Sequence, residues 1–219
     1  QKNPTLLVDM PKLHDKAIIR LDTDEVALLL DFVESAGDHL TGQALNYYKK
    51  TRDRDIAILT LLLGTGIRVS ECVGLDINDV DFDNDRIKVV RKGGAESFVY
   101  FGDEVREALL NYLEERKNLT PDEGHENALF ISAKNRRLCV RSVELLVKKY
   151  AQTVTTVKHI TPHKLRSTYG TNLYQESQDI YLVADVLGHK DVNTTRKHYA
   201  EIVEENKRSA RNIVKLRKD

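Results

Sequence analysis

Apolar residues recur at helical spacing over most of this chain and at alternating spacing in one short stretch. Val26, Leu29, Leu30 and Val33 lie three and four apart, which predicts an amphipathic helix. Thr23-Asp24-Glu25 supplies its cap and first-turn acids, and Gly37 ends it. Residues 38–50 are polar and carry no such period. The next helix is expected from about Arg52 through Ile56, Leu59, Leu62 and Leu63, broken by Gly64 and Gly66 and followed by a short helix around Val69 to Val73. Residues 79–101 change period: Val80 and Phe82 alternate with acids, and Asp83-Asn84-Asp85 reads as a turn. Ile87, Val89 and Val90 then make a strand, Lys92-Gly93-Gly94-Ala95 a second turn, and Phe98 to Phe101 a closing strand. Helical spacing resumes over residues 103–116, 141–150, 162–175, 178–187 and 193–216, with Thr161-Pro162 as an N-cap followed by Pro at the first helical position. A loop at 121–127, an apolar segment at 129–131 and a basic loop at 134–137 separate the first two of these. The expected fold is mainly α with a small three-stranded antiparallel β-sheet, an α+β domain.

Composition changes this picture little. A chain of 219 residues, 41% hydrophobic and 31% charged, suits one globular domain with a real core. No apolar run approaches the roughly 18 residues that cross a bilayer, and Gln1-Lys2-Asn3-Pro4 opens no signal-peptide core. Cys72 and Cys139 stand far apart without metal-type spacing, so the expected location is the cytoplasm and no membrane is involved. Charge is more telling. The formal net charge is zero, but residues 131–219 hold 18 Lys and Arg against 9 Asp and Glu, and residues 1–130 hold 16 against 25. Local positive charge, and not the total, neutralises phosphate, so this asymmetry fits a protein with one face toward nucleic acid. Ordinary solvated helix faces would give it as readily.

Several residues could do chemistry. His163 and Arg166 lie three apart in the first turns of the helix opened by Thr161-Pro162, on one side and near the positive end of the dipole, where an anion is favoured. Gly188-His189 closes another helix; a capping Gly beside a dipole-favoured His explains the pair equally well. Arg68 follows Gly64-Thr65-Gly66-Ile67. A P-loop needs Lys-Ser/Thr after its glycines and a dinucleotide fingerprint a third Gly where Val69 stands, so both readings fail. Lys92, at a hairpin tip beside Gly93-Gly94, could give a proton to a departing alkoxide or be an ordinary charged turn residue. Tyr199 differs from the other tyrosines in its basic setting, Arg196-Lys197-His198, where cations would favour phenolate. His159, His163, His189 and His198 invite a metal reading, but the zincin Glu is missing and phosphate ranks above metal.

In order along the chain, Gly64-Thr65-Gly66-Ile67-Arg68-Val69-Ser70-Glu71, Lys92-Gly93-Gly94, Thr161-Pro162-His163-Lys164-Leu165-Arg166, Leu187-Gly188-His189 and Thr194-Thr195 through Tyr199 resemble the tyrosine recombinases of the phage-integrase family. The closest in character are Xer-type recombinases and integrases of conjugative elements, and the likeness covers about residues 20–205. It implies the tyrosine-recombinase catalytic-domain fold and cleavage and rejoining of DNA strands through a 3′-phosphotyrosyl link, without metal, ATP or cofactor. Arg68 and Arg166 would hold the scissile phosphate and Lys92 would protonate the leaving 5′-hydroxyl. His163 would assist proton transfer, His189 would bond the phosphate, and Tyr199 would be the nucleophile. Arg136, Arg137, Arg141 and Lys164 are the expected DNA contacts. Relatives often carry Lys-Glu-Arg after the hairpin glycines; Ala95-Glu96-Ser97 stands here and puts some backbone contacts in doubt.

The resemblance further implies residues 1–20 as a lead-in from a missing N-terminal core-binding domain, 21–205 as the catalytic domain, and 206–219 as a tail helix exchanged between protomers. Partners would be double-stranded DNA bearing specific recombination sites, three further copies in a tetramer, and an accessory DNA-bending protein. A type IB topoisomerase and a non-catalytic DNA-binding regulator on the same fold are the alternatives.

Overall fold

The computed structural model describes residues 19–189 together with 192, 193 and 195. Among these, helix α1 spans Thr23–Ser35, α2 Gly42–Thr65, α3 Val69–Gly74, α4 Asp103–Arg116, α5 Val140–Val154, α6 Pro162–Ser177 and α7 Ile180–Val186. Between α3 and α4 lie three strands, β1 Val80–Asp81, β2 Arg86–Val90 and β3 Glu96–Tyr100, in that order across one antiparallel sheet. The register sets Val80 against Ile87, and Arg86 against Tyr100 through Val90 against Glu96. Ile87, Val89 and Val99 turn inward and Lys88, Phe98 and Tyr100 outward, the period-two pattern of a half-buried sheet. The expected fold class is therefore the observed one.

Three boundaries differ from expectation, each for a local reason. The cap of α1 is Asp22: its carboxylate accepts from the Glu25 amide and the Glu25 carboxylate accepts from the Asp22 amide. Helix α2 begins ten residues earlier than its apolar period, because residues 42–50 mostly face solvent and are tied down at few points. One such point is Tyr48, buried and donating to the backbone oxygens of Val33 and Glu34 at the end of α1. Gly64 does not break α2. Its missing side chain lets Val105 of α4 pack where a Cβ would stand 2.5 Å from that valine's methyl.

The core lies between α2 and the helices around it, with α2 central: Ala57, Ile58, Leu59, Leu61 and Leu62 are all buried. Residues 128–131 run through it, and their backbone is satisfied from a side chain. The Tyr112 hydroxyl donates to the Leu129 carbonyl and accepts from the Ile131 amide, while its ring stacks on Phe130. The chain enters through Leu21, fully buried, whose amide donates to Thr168 Oγ1 of α6.

One bonded group of charges lies inside this core. Arg54 donates from Nε (3.0 Å) and Nη2 (2.6 Å) to one Asp55 oxygen and from Nη1 to the Ile131 carbonyl, while the Tyr150 hydroxyl donates to the other Asp55 oxygen. Burial raises the Asp55 carboxyl above its usual range, and the guanidinium beside it works against that. Removing one partner leaves the other charge buried alone. Asp55→Ala is accordingly expected to cost about 3–5 kcal/mol in urea unfolding; a loss below ~1 kcal/mol would contradict this account of the core.

Candidate active site

Four segments far apart in sequence meet at one place on the surface: the junction of α2 and α3, the β2–β3 hairpin, the first turns of α6 and the end of α7. The meeting begins with Gly66. It caps α2 in a left-handed conformation (φ 62°) and lies so close to α6 that a Cβ would stand 2.4 Å from Tyr169 Cδ1. Only glycine allows the chain to turn there and still pack on α6. The turn leaves the Gly66 carbonyl pointing at Arg166, whose Nη1 donates to it at 2.5 Å, and whose Nη2 donates to the Leu187 carbonyl at the end of α7. Arg166 is 5% exposed. One guanidinium thus joins the C-terminal ends of two helices, where unpaired carbonyls favour a cation.

Arg68 stands at the N-cap of α3, half-buried. Its Nη1 donates to Glu71 Oε1 at 2.8 Å, its amide to Glu71 Oε2 at 2.8 Å, and its Nη2 reaches the Gly188 carbonyl at 3.5 Å. Glu71 is buried and also takes Arg91 Nη1 at 3.1 Å. Gly188 is again left-handed (φ 61°) and follows α7, and the next amide, of His189, donates back to Ala184. The His189 ring is oriented through Nδ1, 2.7 Å from the buried Thr195 Oγ1. His163 lies near these cations. The residue is exposed overall, but partial burial removes some hydration, and Lys164, Arg166 and Arg68 add repulsion; together they lower its pKa.

The structure therefore brings together Arg68, His163, Arg166 and His189, and sets the hairpin carrying Lys92 beside them through Arg91. Lys92 itself is exposed at the turn. Tyr199 lies outside the described residues, as does His198. Among the described residues no three His, Cys, Asp or Glu stand close enough to hold a metal. Of the expected DNA contacts, Arg136 and Arg141 are exposed and paired with Asp122 and Glu144, and Lys164 sits beside His163 at the start of α6. Arg137 is differently engaged, donating to the carbonyls of Val73 and Leu75 and to Asp76, which caps the end of α3. Sequence reading missed Glu71 and Arg91. For Glu71 the signal existed, three residues after an N-cap; Arg91 had none, since a charged residue beside a hairpin turn is commonplace.

The arrangement is a group of donors with helix-end carbonyls behind it, suited to an oxyanion with charge on several oxygens. At neutral pH the His163 ring is neutral and can accept a proton. Its folded pKa lies below the ordinary 6.5, so stability tied to the neutral ring is complete above that value and is lost as pH falls through the lowered one. NMR titration of its ring protons should show the midpoint below 6.5, rising in Lys164→Gln. A midpoint unmoved by that substitution would contradict the electrostatic cause.

Comparison with known proteins gives a consistent answer. The Phage integrase family model matches residues 20–206. The chain is 36% identical over 186 residues to tyrosine recombinase XerC of Corynebacterium glutamicum, covering 80% of this chain and 59% of that protein. It is 34% identical over 214 residues to tyrosine recombinase XerS of Streptococcus agalactiae, covering 96% and 58%. It thus spans under three fifths of the length of these curated relatives. Among solved structures it resembles XerA recombinase (TM-score 0.72, 27% identity, 88% of this chain and 65% of that one). The Tn1549 transposon integrase in complex with circular intermediate DNA shares the fold (TM-score 0.65, 23% identity, 95% and 68%). The family match spans the elements that carry these donors, the start of α3, α6 and the end of α7: the chain belongs to the phage integrase family.

Proposed function

We propose that this chain is the catalytic part of a site-specific DNA recombinase, cutting and rejoining strands through a 3′-phosphotyrosyl link. The observation that carries the reading is the convergence of Arg68 and Arg166, 98 positions apart in sequence, on the two carbonyls just before His189. Two guanidinium groups brought to one place suit one phosphate, their planar geometry matching its oxygens. In the cleavage step the Tyr199 oxygen bonds to phosphorus and the P–O5′ bond breaks. The phenol's proton passes to His163, Lys92 protonates the departing 5′-oxygen, and His189 bonds a non-bridging oxygen. One ester replaces another, so the backbone's bond energy is kept for rejoining. Negative charge grows on oxygens that fixed cations already face, commonly the largest contribution to such a rate.

Relatives named as Xer recombinases and a transposon integrase support recombination over the relaxing activity of a type IB topoisomerase. Arg136, Arg141 and Lys164 are the proposed backbone contacts; one from Arg137 would have to use the edge left outside its cap. A tetramer on DNA is part of the proposal. Its motive is the apolar series Ile202, Val203, Ile213, Val214 and Leu216, lying within the basic tail and suited to a neighbouring copy. An accessory bending protein would bring the two sites together.

Incubated with nicked duplexes of randomised sequence in excess chelator, the protein should form a denaturation-resistant DNA adduct from which its site can be read. Tyr199→Phe should abolish the adduct, and Arg68→Ala should slow its formation by roughly 10²–10³-fold. An adduct persisting in Tyr199→Phe would identify another nucleophile. No adduct with any sequence would favour a DNA-binding regulator on this fold.

A further inference from the structure

Arg91 is the last residue of the hairpin held on both sides of its turn. Its amide donates to the Ala95 carbonyl and its carbonyl accepts from Gly94. The next residues, Lys92, Gly93 and Gly94, form the exposed tip, with φ of 101° and 85° at the two glycines. The Lys92 side chain bonds to no described residue. Such a tip samples many conformations, and an ammonium on it would seldom stand where a proton is needed.

The Arg91 side chain runs the other way, into the protein, and is 11% exposed. Its Nη1 donates to Glu71 at 3.1 Å, sharing that carboxylate with Arg68, and its Nη2 donates to the Val186 carbonyl at the end of α7, also at 3.1 Å. It lies flat against Gly188: a Cβ there would meet Cζ and Nε at 3.0 Å. Arg91 therefore touches the carboxylate that orients Arg68 and the helix end that carries His189, while the next residue in the chain is Lys92. An apolar side chain at this hairpin position would fill the space without joining Glu71 to Val186.

We infer that Arg91 is a positioning residue that holds the base of the hairpin against Glu71 and α7, so that Lys92 reaches the leaving 5′-oxygen. This rests on the strand-cleavage reading. Fixing one end of a flexible donor raises its effective concentration at the reacting atom, and general-acid help of this kind typically contributes 10²–10⁴-fold. The loss of Arg91 should therefore appear specifically as loss of proton donation.

The test compares cleavage of the captured site with an ordinary linkage and with sulfur in place of the bridging 5′-oxygen. A thiolate leaves without a proton, so that substrate has no need of Lys92. With the ordinary linkage, Arg91→Met should form adduct at least about tenfold more slowly than wild type. With the sulfur linkage it should return to within about threefold, as Lys92→Ala should, while Arg68→Ala stays slow on both. Arg91→Lys keeps the charge but cannot reach both acceptors at once, and should show a smaller defect with the same rescue. It serves in place of Arg91→Met if thermal unfolding shows that variant unfolded. A defect equal on both substrates, or none on either, overturns the inference. If wild type forms no adduct on either substrate, the strand-cleavage reading falls first and this one with it.

Discussion

Gathering cations into one place is costly, and the Glu71 carboxylate is what makes it tolerable here. Two unit charges about 5 Å apart repel by roughly 3 kcal/mol at an effective dielectric constant near 20. Arg68, Arg91, Lys164 and Arg166 all crowd the ground around His163 and Gly188. Glu71 answers two of them directly and, through the Arg68 amide, also fixes the start of α3. It is buried, so its attraction is little screened by salt. Excess positive charge is left over, as a site for a doubly flanked phosphate would need.

The remaining compensation comes from the backbone. Helices end with carbonyls that have no partner of their own. Here the ends of α2 and α7 are turned toward each other, and their last carbonyls are taken by side chains: Gly66 and Leu187 by Arg166, Val186 by Arg91, Gly188 by Arg68. The frame and the ligand-facing groups are therefore the same residues. A planar guanidinium can hold two acceptors at once, a task that a single ammonium could not perform with the same geometry.

How far the sequence reveals this depends on what kind of force holds each part. Helices α4 and α6 are legible from apolar spacing and from Pro162 because burial and capping shape them locally. The first half of α2 is not, since it is mostly exposed and its tie to α1 is a tyrosine hydroxyl on backbone oxygens, which leaves no apolar period. The Arg54–Asp55–Tyr150 group looks in sequence like adjacent surface charges with a tyrosine ninety-five positions away, and only packing makes it internal. At the site, motif order located Arg68, His163, Arg166 and His189, but it said nothing of Arg91, whose partners lie 20 and 95 residues away. Arg137 shows the same limit: its place in a basic loop gives no sign that its guanidinium closes the end of α3.

Helix α7 has seven residues and a small apolar cluster of Tyr174, Val183 and Leu187. On its own, so short a helix would come and go as a local fluctuation. Its last carbonyls, however, are clasped by arginines rooted in α6 and the hairpin, and letting go would strand charges that have no water at hand. Opening this end is thereby tied to opening the interior, which makes a seven-residue helix share the cooperativity of the longest one and keeps the site from existing in a half-assembled form.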